Sequence, residues 1–223
     1  MGEDHNLHYE SDPRHIEAAL NAYDMEDCKP IGGPWAAEAT GEKVDLNLRQ
    51  RHAETSRAVE EEWKVEEEAE LLNFEDMKKY QSVGARLNYL CLDRTDTQFP
   101  VKEIMRKMSN PTTVDEQRLK RILRYLKGVP RMIHTFPFED LPKDITIFVD
   151  SNFAGCSRTR KSTSGGVIRW GSGVLKTWSK TQATIALSSG EAELAAVVKG
   201  ATEILGVKAV LADFGHQVDI YVL

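Results

Sequence analysis

The 223-residue sequence predicts a mixed α/β fold, with a C-terminal mixed sheet preceded by a mainly helical region. Three observations carry this. Residues 145–150 (ITIFVD) alternate between two faces, which is the period of a strand. Residues 164–170 and 174–180 flank Gly171-Ser172-Gly173, a hairpin signature. Between residues 74 and 127, apolar side chains recur every three or four positions, as in helices.

Composition narrows the function classes. The hydrophobic fraction is 41%, and no apolar run is long enough to span a membrane. The N-terminus MGEDHNLHYE is polar and acidic, unlike a secretory signal. Asn6 stands where myristoylation wants Ser or Thr. Cys28, Cys91 and Cys156 are odd in number and far apart, so the expectation is a reducing, intracellular compartment, cytoplasmic or nuclear. Charge is uneven along the chain. Residues 1–76 hold 7 Lys/Arg and 21 Asp/Glu, whereas residues 77–180 hold 20 and 9. The basic stretch fits a polyanion-binding surface or, equally, solvated helix faces.

The elements follow in order. Asp12 as N-cap and Pro13 at the first position open a helix over 12–24, with Ile16, Ala19, Leu20 and Tyr23 on one face. His5 and His8 could share a metal, but a frayed terminus is the simpler expectation. Residues 29–52 hold two Pro and three Gly with no sustained period, and read as an irregular connector. Residues 53–72 are helix-prone and very acidic, a solvated helix or linker. Asn73 caps a helix over 74–92, striped by Met77, Tyr80, Val83, Leu87 and Leu90. Asp96 or Thr97 opens the next, with Pro100 in its first turn. Asn110-Pro111 ends it. Thr113 and Glu116 form a capping box for a third helix with Leu119, Ile122, Leu123 and Leu126 inward and Gly128 as its stop. Arg121 and Arg124 lie on that helix's basic stripe, which either tracks phosphates or is an ordinary exposed face. A short strand over 131–136 and a turn-rich linker over 137–143 precede the ITIFVD strand and its hairpin. A helix over 189–214, broken near Gly200 or Gly206, leads to a last strand at 218–223. The expected divisions are residues 1–72, 73–140 and 141–223.

Carboxylates hold the candidate chemistry. Asp150 ends a strand expected to be buried, where it either binds a cation or caps the Asp-Ser-Asn turn. Ser188 as N-cap makes Glu191 its capping-box partner. Glu193 has no such structural duty and sits among Ala192, Leu194, Ala195 and Ala196, which suggests an inward-facing ligand. Oxygen ligands from separate elements suit Mg²⁺ or Mn²⁺.

The runs VDSNFAGCSRTRKSTSGGV and LKTWSKTQATIALSSGEAEL resemble the ribonuclease H region of copia-type retrotransposon Pol polyproteins. Upstream, HIEAALNAYDMEDCKPIGGP, YQSVGARLNYLCLDRTDTQF, MSNP and LKRILRYLKG resemble the end of the same elements' reverse transcriptase and its connection. The resemblance covers about residues 12–220, least well over 40–72. It implies a ribonuclease H-like sheet of three antiparallel strands, a helix and a parallel fourth strand. It implies Mg²⁺-dependent cleavage of the RNA in RNA–DNA hybrids by four carboxylates on two metal ions. By motif position Asp150 is the first carboxylate and Glu193 the second. Arg158, Arg160, Lys161 and Ser162 become candidate phosphate or hydroxyl contacts, with Lys180 and Lys176 weaker ones and Trp178 a core residue. Implied partners are an RNA–DNA hybrid or other nucleic acid and the rest of the polyprotein's polymerase, with no membrane.

The sequence departs from that pattern. Asn152 stands where copia-type elements commonly have a second Asp, no Tyr-x-Asp-Asp motif occurs, and Asp219 begins the last strand instead of ending it. The expectation is therefore a fragment with weak or no cleavage by itself, or a module that grips nucleic acid without cutting it, or an inactive remnant.

Overall fold

The computed structural model describes residues 5–35, 68–156 and 158–223. Residues 53–67 of the expected acidic segment and most of the 29–52 connector lie outside them, and residues 68–72 are not helical, Leu71 forming an isolated bridge. The chain divides into two compact units. One comprises Met1–Ser11, Leu92–Gln98 and Arg131–Leu223; the other comprises Asp12–Cys91 and Phe99–Pro130. Both are discontinuous in sequence, whereas the sequence reading lays its divisions end to end.

The second unit is helical. α1 (Arg14–Asn21) starts after Pro13, with the Asp12 carboxylate accepting the Arg14 N–H at 2.9 Å. α2 (Phe74–Leu90) is capped by Asn73, whose side chain accepts from the Asp76 N–H. α3 (Gln98–Met105) follows a 3-10 turn at Thr95–Thr97 and tolerates Pro100 because the first turn lacks hydrogen-bond partners anyway. α4 spans Thr113–Gly128. Its capping box is Thr112 with Asp115, one residue before the expected pair. Thr112 is extended and bridges to Leu71, so the helix starts earlier. Asp115, only 2% exposed, then accepts from both the N–H and the hydroxyl of Thr112. The core is the one the periodicity predicts: Tyr80, Val83, Leu87 and Leu90 meet Leu119, Ile122, Leu123 and Leu126, with Ile16, Ala19, Leu20 and Tyr23 of the first helical segment. The Tyr80 hydroxyl, which apolar burial would penalise, donates to the Ile104 carbonyl at 2.7 Å.

The first unit is built on two sheets. β1 (Leu7–Glu10) pairs antiparallel with β2 (Ile133–Phe136). The N-terminus expected to fray is thus a strand, closed by Arg131 on Glu10. The main sheet holds β3 (Asp144–Asn152), β4 (Thr163–Trp170), β5 (Gly173–Thr181) and β6 (Asp219–Val222) in the order β5-β4-β3-β6. β3 and β5 each run antiparallel to β4, and β6 joins β3 in parallel. β4 and β5 are joined through Gly171, held at φ +57°, and Ser172. Such a tight connection matches the right-handed strand twist only with a left-handed residue, which glycine adopts freely.

α5 (Ser189–Asp213) crosses from β5 to β6 as one uninterrupted helix, without the expected break. Gly206 has open space around it and costs only propensity. Gly200 has a packing role. A Cβ there would lie 2.5 Å from Val149 Cγ1 and 3.0 Å from Ile147 Cδ1, so the helix backbone rests directly on β3. Ala192, Ala196, Gly200, Ile204 and Leu211 form the buried stripe. Beneath it lie Ile145, Ile147 and Ile168, each fully buried.

Candidate nucleic-acid interface

The loop between β3 and β4 is a compact cationic turn. The Arg160 N–H donates to the Cys156 carbonyl at 2.7 Å, and the Cys156 N–H donates to the Lys161 carbonyl at 3.1 Å. Ala154 and Arg160 both take positive φ, +51° and +54°. For non-glycine residues this is a sparsely occupied region, held only when the surroundings fix it. Arg158 and Arg160 are exposed and Lys161 half-buried. Lys180 is exposed on β5, paired across the ladder with Ser164. Among the described residues none of these four cations has a salt bridge or a side-chain hydrogen bond. Ser162 differs from the expectation. It is fully buried, and its hydroxyl accepts the Ala154 N–H at 3.0 Å, so it holds the loop instead of facing a ligand.

The basic stripe on α4 is engaged by the protein itself. Arg118 pairs with Asp115 at 3.5 Å, and Lys120 with Glu116 at 2.8 Å. Arg124 Nε donates to the Lys29 carbonyl at 2.8 Å. Arg121 Nε is buried without a hydrogen-bond partner among the described residues. Both arginines expected to reach nucleic acid therefore have their Nε–H turned to the protein. Among the described residues the loop's cationic side chains have no carboxylate or hydrogen-bond partner, whereas on α4 two cations are ion-paired, Arg124 is held by a carbonyl and Arg121 has its Nε buried.

Asp150 and Glu193 are both exposed, against the expectation of a buried strand end and an inward-facing ligand. The pleat explains Asp150. Ile147 and Val149 meet α5, and successive side chains alternate, so Asp150 points to the opposite sheet face. On α5 the inward places next to Glu193 are taken by Ala192 and Ala196, both fully buried. Glu191 caps, as expected, with a variation. Ser188 Oγ accepts the Glu191 N–H at 3.1 Å, but Glu191 Oε2 accepts from the Leu187 N–H at 2.7 Å. Asp219 lies at the start of β6 beside Asp144, six ladder positions before Asp150. Among the described residues no three His, Cys, Asp or Glu side chains come together as a metal-holding group. Two exposed carboxylates are too few oxygen ligands to close a site for a pair of Mg²⁺ or Mn²⁺ ions. Among the described residues, the carboxylates do not make up the two-metal arrangement that the family resemblance implies.

Two features escape sequence reasoning. One is an ion triad: Glu203 of α5 accepts from both Lys176 of β5 and Lys199 of its own helix. Only the Lys199–Glu203 spacing, four apart on a helix, is visible in the sequence. The side-chain hydrogen bond from Lys176, followed by that from Lys199, holds the Glu203 carboxyl below its ordinary value of 4.5. A depressed carboxyl pKa contributes stability that is present above the unfolded value and lost as pH falls below it. Glu203→Gln is therefore expected to lower stability at neutral pH, where the triad contributes, and to change little well below pH 4.5, so that the acid limb flattens, read by thermal melts across pH. An unchanged acid limb would argue against the triad. The second feature is Gln182, whose side chain bonds both Ser164 and the Ala192 carbonyl.

Comparison with known proteins places the chain. It is 30% identical over 195 residues to an uncharacterized mitochondrial protein of Arabidopsis thaliana, covering 87% of this chain and 70% of that one. It is 27% identical over 208 residues to the retrovirus-related Pol polyprotein from transposon TNT 1-94 of Nicotiana tabacum, covering 93% of this chain. A similar polyprotein from transposon RE1 of Arabidopsis thaliana is 30% identical over 63% of this chain. The chain spans only 14% and 10% of those two polyproteins. No protein-family model and no solved structure matches it. No helix among the described residues is long and apolar enough to cross a membrane.

Three antiparallel strands, a crossing helix and a parallel fourth strand define a ribonuclease H-like module. The chain belongs to the copia-type retrotransposon Pol polyproteins.

Proposed function

We propose that this chain is the part of a copia-type Pol polyprotein that grips an RNA–DNA hybrid through the β3–β4 loop, and that it does not cut the hybrid alone. The observation that carries this reading is the cluster of unneutralised cations, Arg158, Arg160 and Lys161, with Lys180 on β5. Charge-assisted bonds to phosphate are strong, and cations already paired within the protein gain little from them. The loop's backbone is fixed by its own hydrogen bonds, so less ordering is lost on binding. A hybrid duplex offers backbone and 2′-hydroxyl groups across a wide minor groove, and is read by shape. Cleavage enters the reading only as the family's activity, since Asp150 and Glu193 do not assemble a metal pair by themselves.

Affinity for a fluorescein-labelled hybrid, measured by anisotropy between 50 and 200 mM salt, tests this. Four phosphate contacts give a log–log slope of about −3.6, which is roughly a 150-fold loss over that range. A slope near zero would sink the reading.

A further inference from the structure

Gln182 follows β5 and joins three elements at the cationic end of the sheet. Its Nε2 donates to Ser164 Oγ of β4 at 3.0 Å and to the Ala192 carbonyl in the first turn of α5 at 2.9 Å. Its backbone N–H donates to the Ser162 carbonyl at 2.8 Å. Ser162 Oγ in turn accepts the Ala154 N–H. The Gln182 side chain therefore ties the α5 N-terminus to Ser164, at the β4 end of the loop that bears Arg158, Arg160 and Lys161, while its backbone N–H holds Ser162 beside it. Ser162 and Ser164 are 0% and 3% exposed, so water competes poorly for these bonds.

We infer that Gln182 is a positioning residue for nucleic-acid binding: it clamps the β3–β4 loop to the start of α5 and so fixes where the loop cations stand. This rests on the hybrid-gripping reading above. A glutamine is suited to the task. Its amide supplies two donors that can diverge to Ser164 and Ala192, which neither a serine nor a carboxylate can offer. Loss of the side chain leaves the cations present but loosely placed, and loose cations give up part of their contact with a fixed phosphate spacing.

Two measurements on the full chain test the clamp. In the first, hybrid affinity is measured across salt for wild type, Gln182→Ala, the Arg160→Ala/Lys161→Ala pair, and all three substitutions together. The clamp predicts that Gln182→Ala weakens binding about tenfold and makes the salt slope shallower. It also predicts little further loss when the cations are already gone. A merely structural glutamine would lower the melting temperature, leave the slope unchanged and add its full cost to the cation variant, and this result would overturn the inference. In the second, the Ala154 amide is followed by ¹H–¹⁵N NMR with no nucleic acid present. The clamp predicts a shift and faster hydrogen exchange in Gln182→Ala, and an unmoved Ala154 would overturn it. If wild type fails to bind the hybrid, the gripping reading falls, while the NMR result still decides whether Gln182 holds the loop.

Discussion

Replacing Gly200 with Leu should destabilise the sheet unit by about 3 kcal/mol, at the upper end of typical overpacking costs. Even the first added carbon would lie 2.5 Å from Val149 Cγ1 and 3.0 Å from Ile147 Cδ1. Those atoms belong to the central strand, where β4 fixes one side and β6 the other. Neither neighbour can retreat cheaply, because Ile147 is fully buried beside Ile145 and Ile168. Gly206→Ala is the matched control. Nothing lies within 4 Å of a Cβ at that position, and the helix propensity of alanine favours a gain of up to about 1 kcal/mol. Urea denaturation of the two variants reads both effects. A neutral Gly200→Leu would mean that α5 does not rest on β3 as described.

Removing the loop cations together, as Arg158→Ala/Arg160→Ala/Lys161→Ala, should change binding far more than stability. All three lie in one turn whose shape depends on backbone bonds and on Ser162, not on their side chains. Exposed unpaired cations contribute little to folding. With Lys180 left as the single remaining contact, affinity should fall only about fourfold between 50 and 200 mM salt, against roughly 150-fold for wild type. The same substitutions on α4, Arg121→Ala/Arg124→Ala, should leave the salt response intact. Arg124 is already engaged with the Lys29 carbonyl, and Arg121 Nε is buried. If the α4 variant lost the salt response instead, the interface would have to be moved there.

Much of the fold was readable because its signals are local. The ITIFVD alternation, the Asn73 cap and the leucine stripe of α4 each report on their own segment, and each is found in place. What failed were features decided by distant neighbours. Gly200 reads in sequence as a helix breaker, yet it is a contact surface for β3. Thr112 and Thr113 offer two overlapping capping boxes, and the bridge to Leu71 selects the first. LHYE is too short to read as a strand until Ile133–Phe136 lies beside it. The candidate site divides the same way. Motif spacing located the cationic loop, but it could not reveal that Ser162 is sealed inside it. Glu193 looked inward by composition because alanines surround it, whereas helix phase gives the inward places to Ala192 and Ala196. Asp150 was expected to be buried with its strand, and the pleat turned it outward.

The central claim is that this chain holds an RNA–DNA hybrid without cutting it. The most direct measurement is electrophoresis of a hybrid whose RNA strand carries an end label, incubated with the full chain in Mg²⁺. Each sample is run once on a native gel and once on a denaturing one. The predicted result is a retarded complex that contains full-length RNA. Shortened RNA that disappears with Asp150→Asn, or the absence of any complex at low salt, would contradict it.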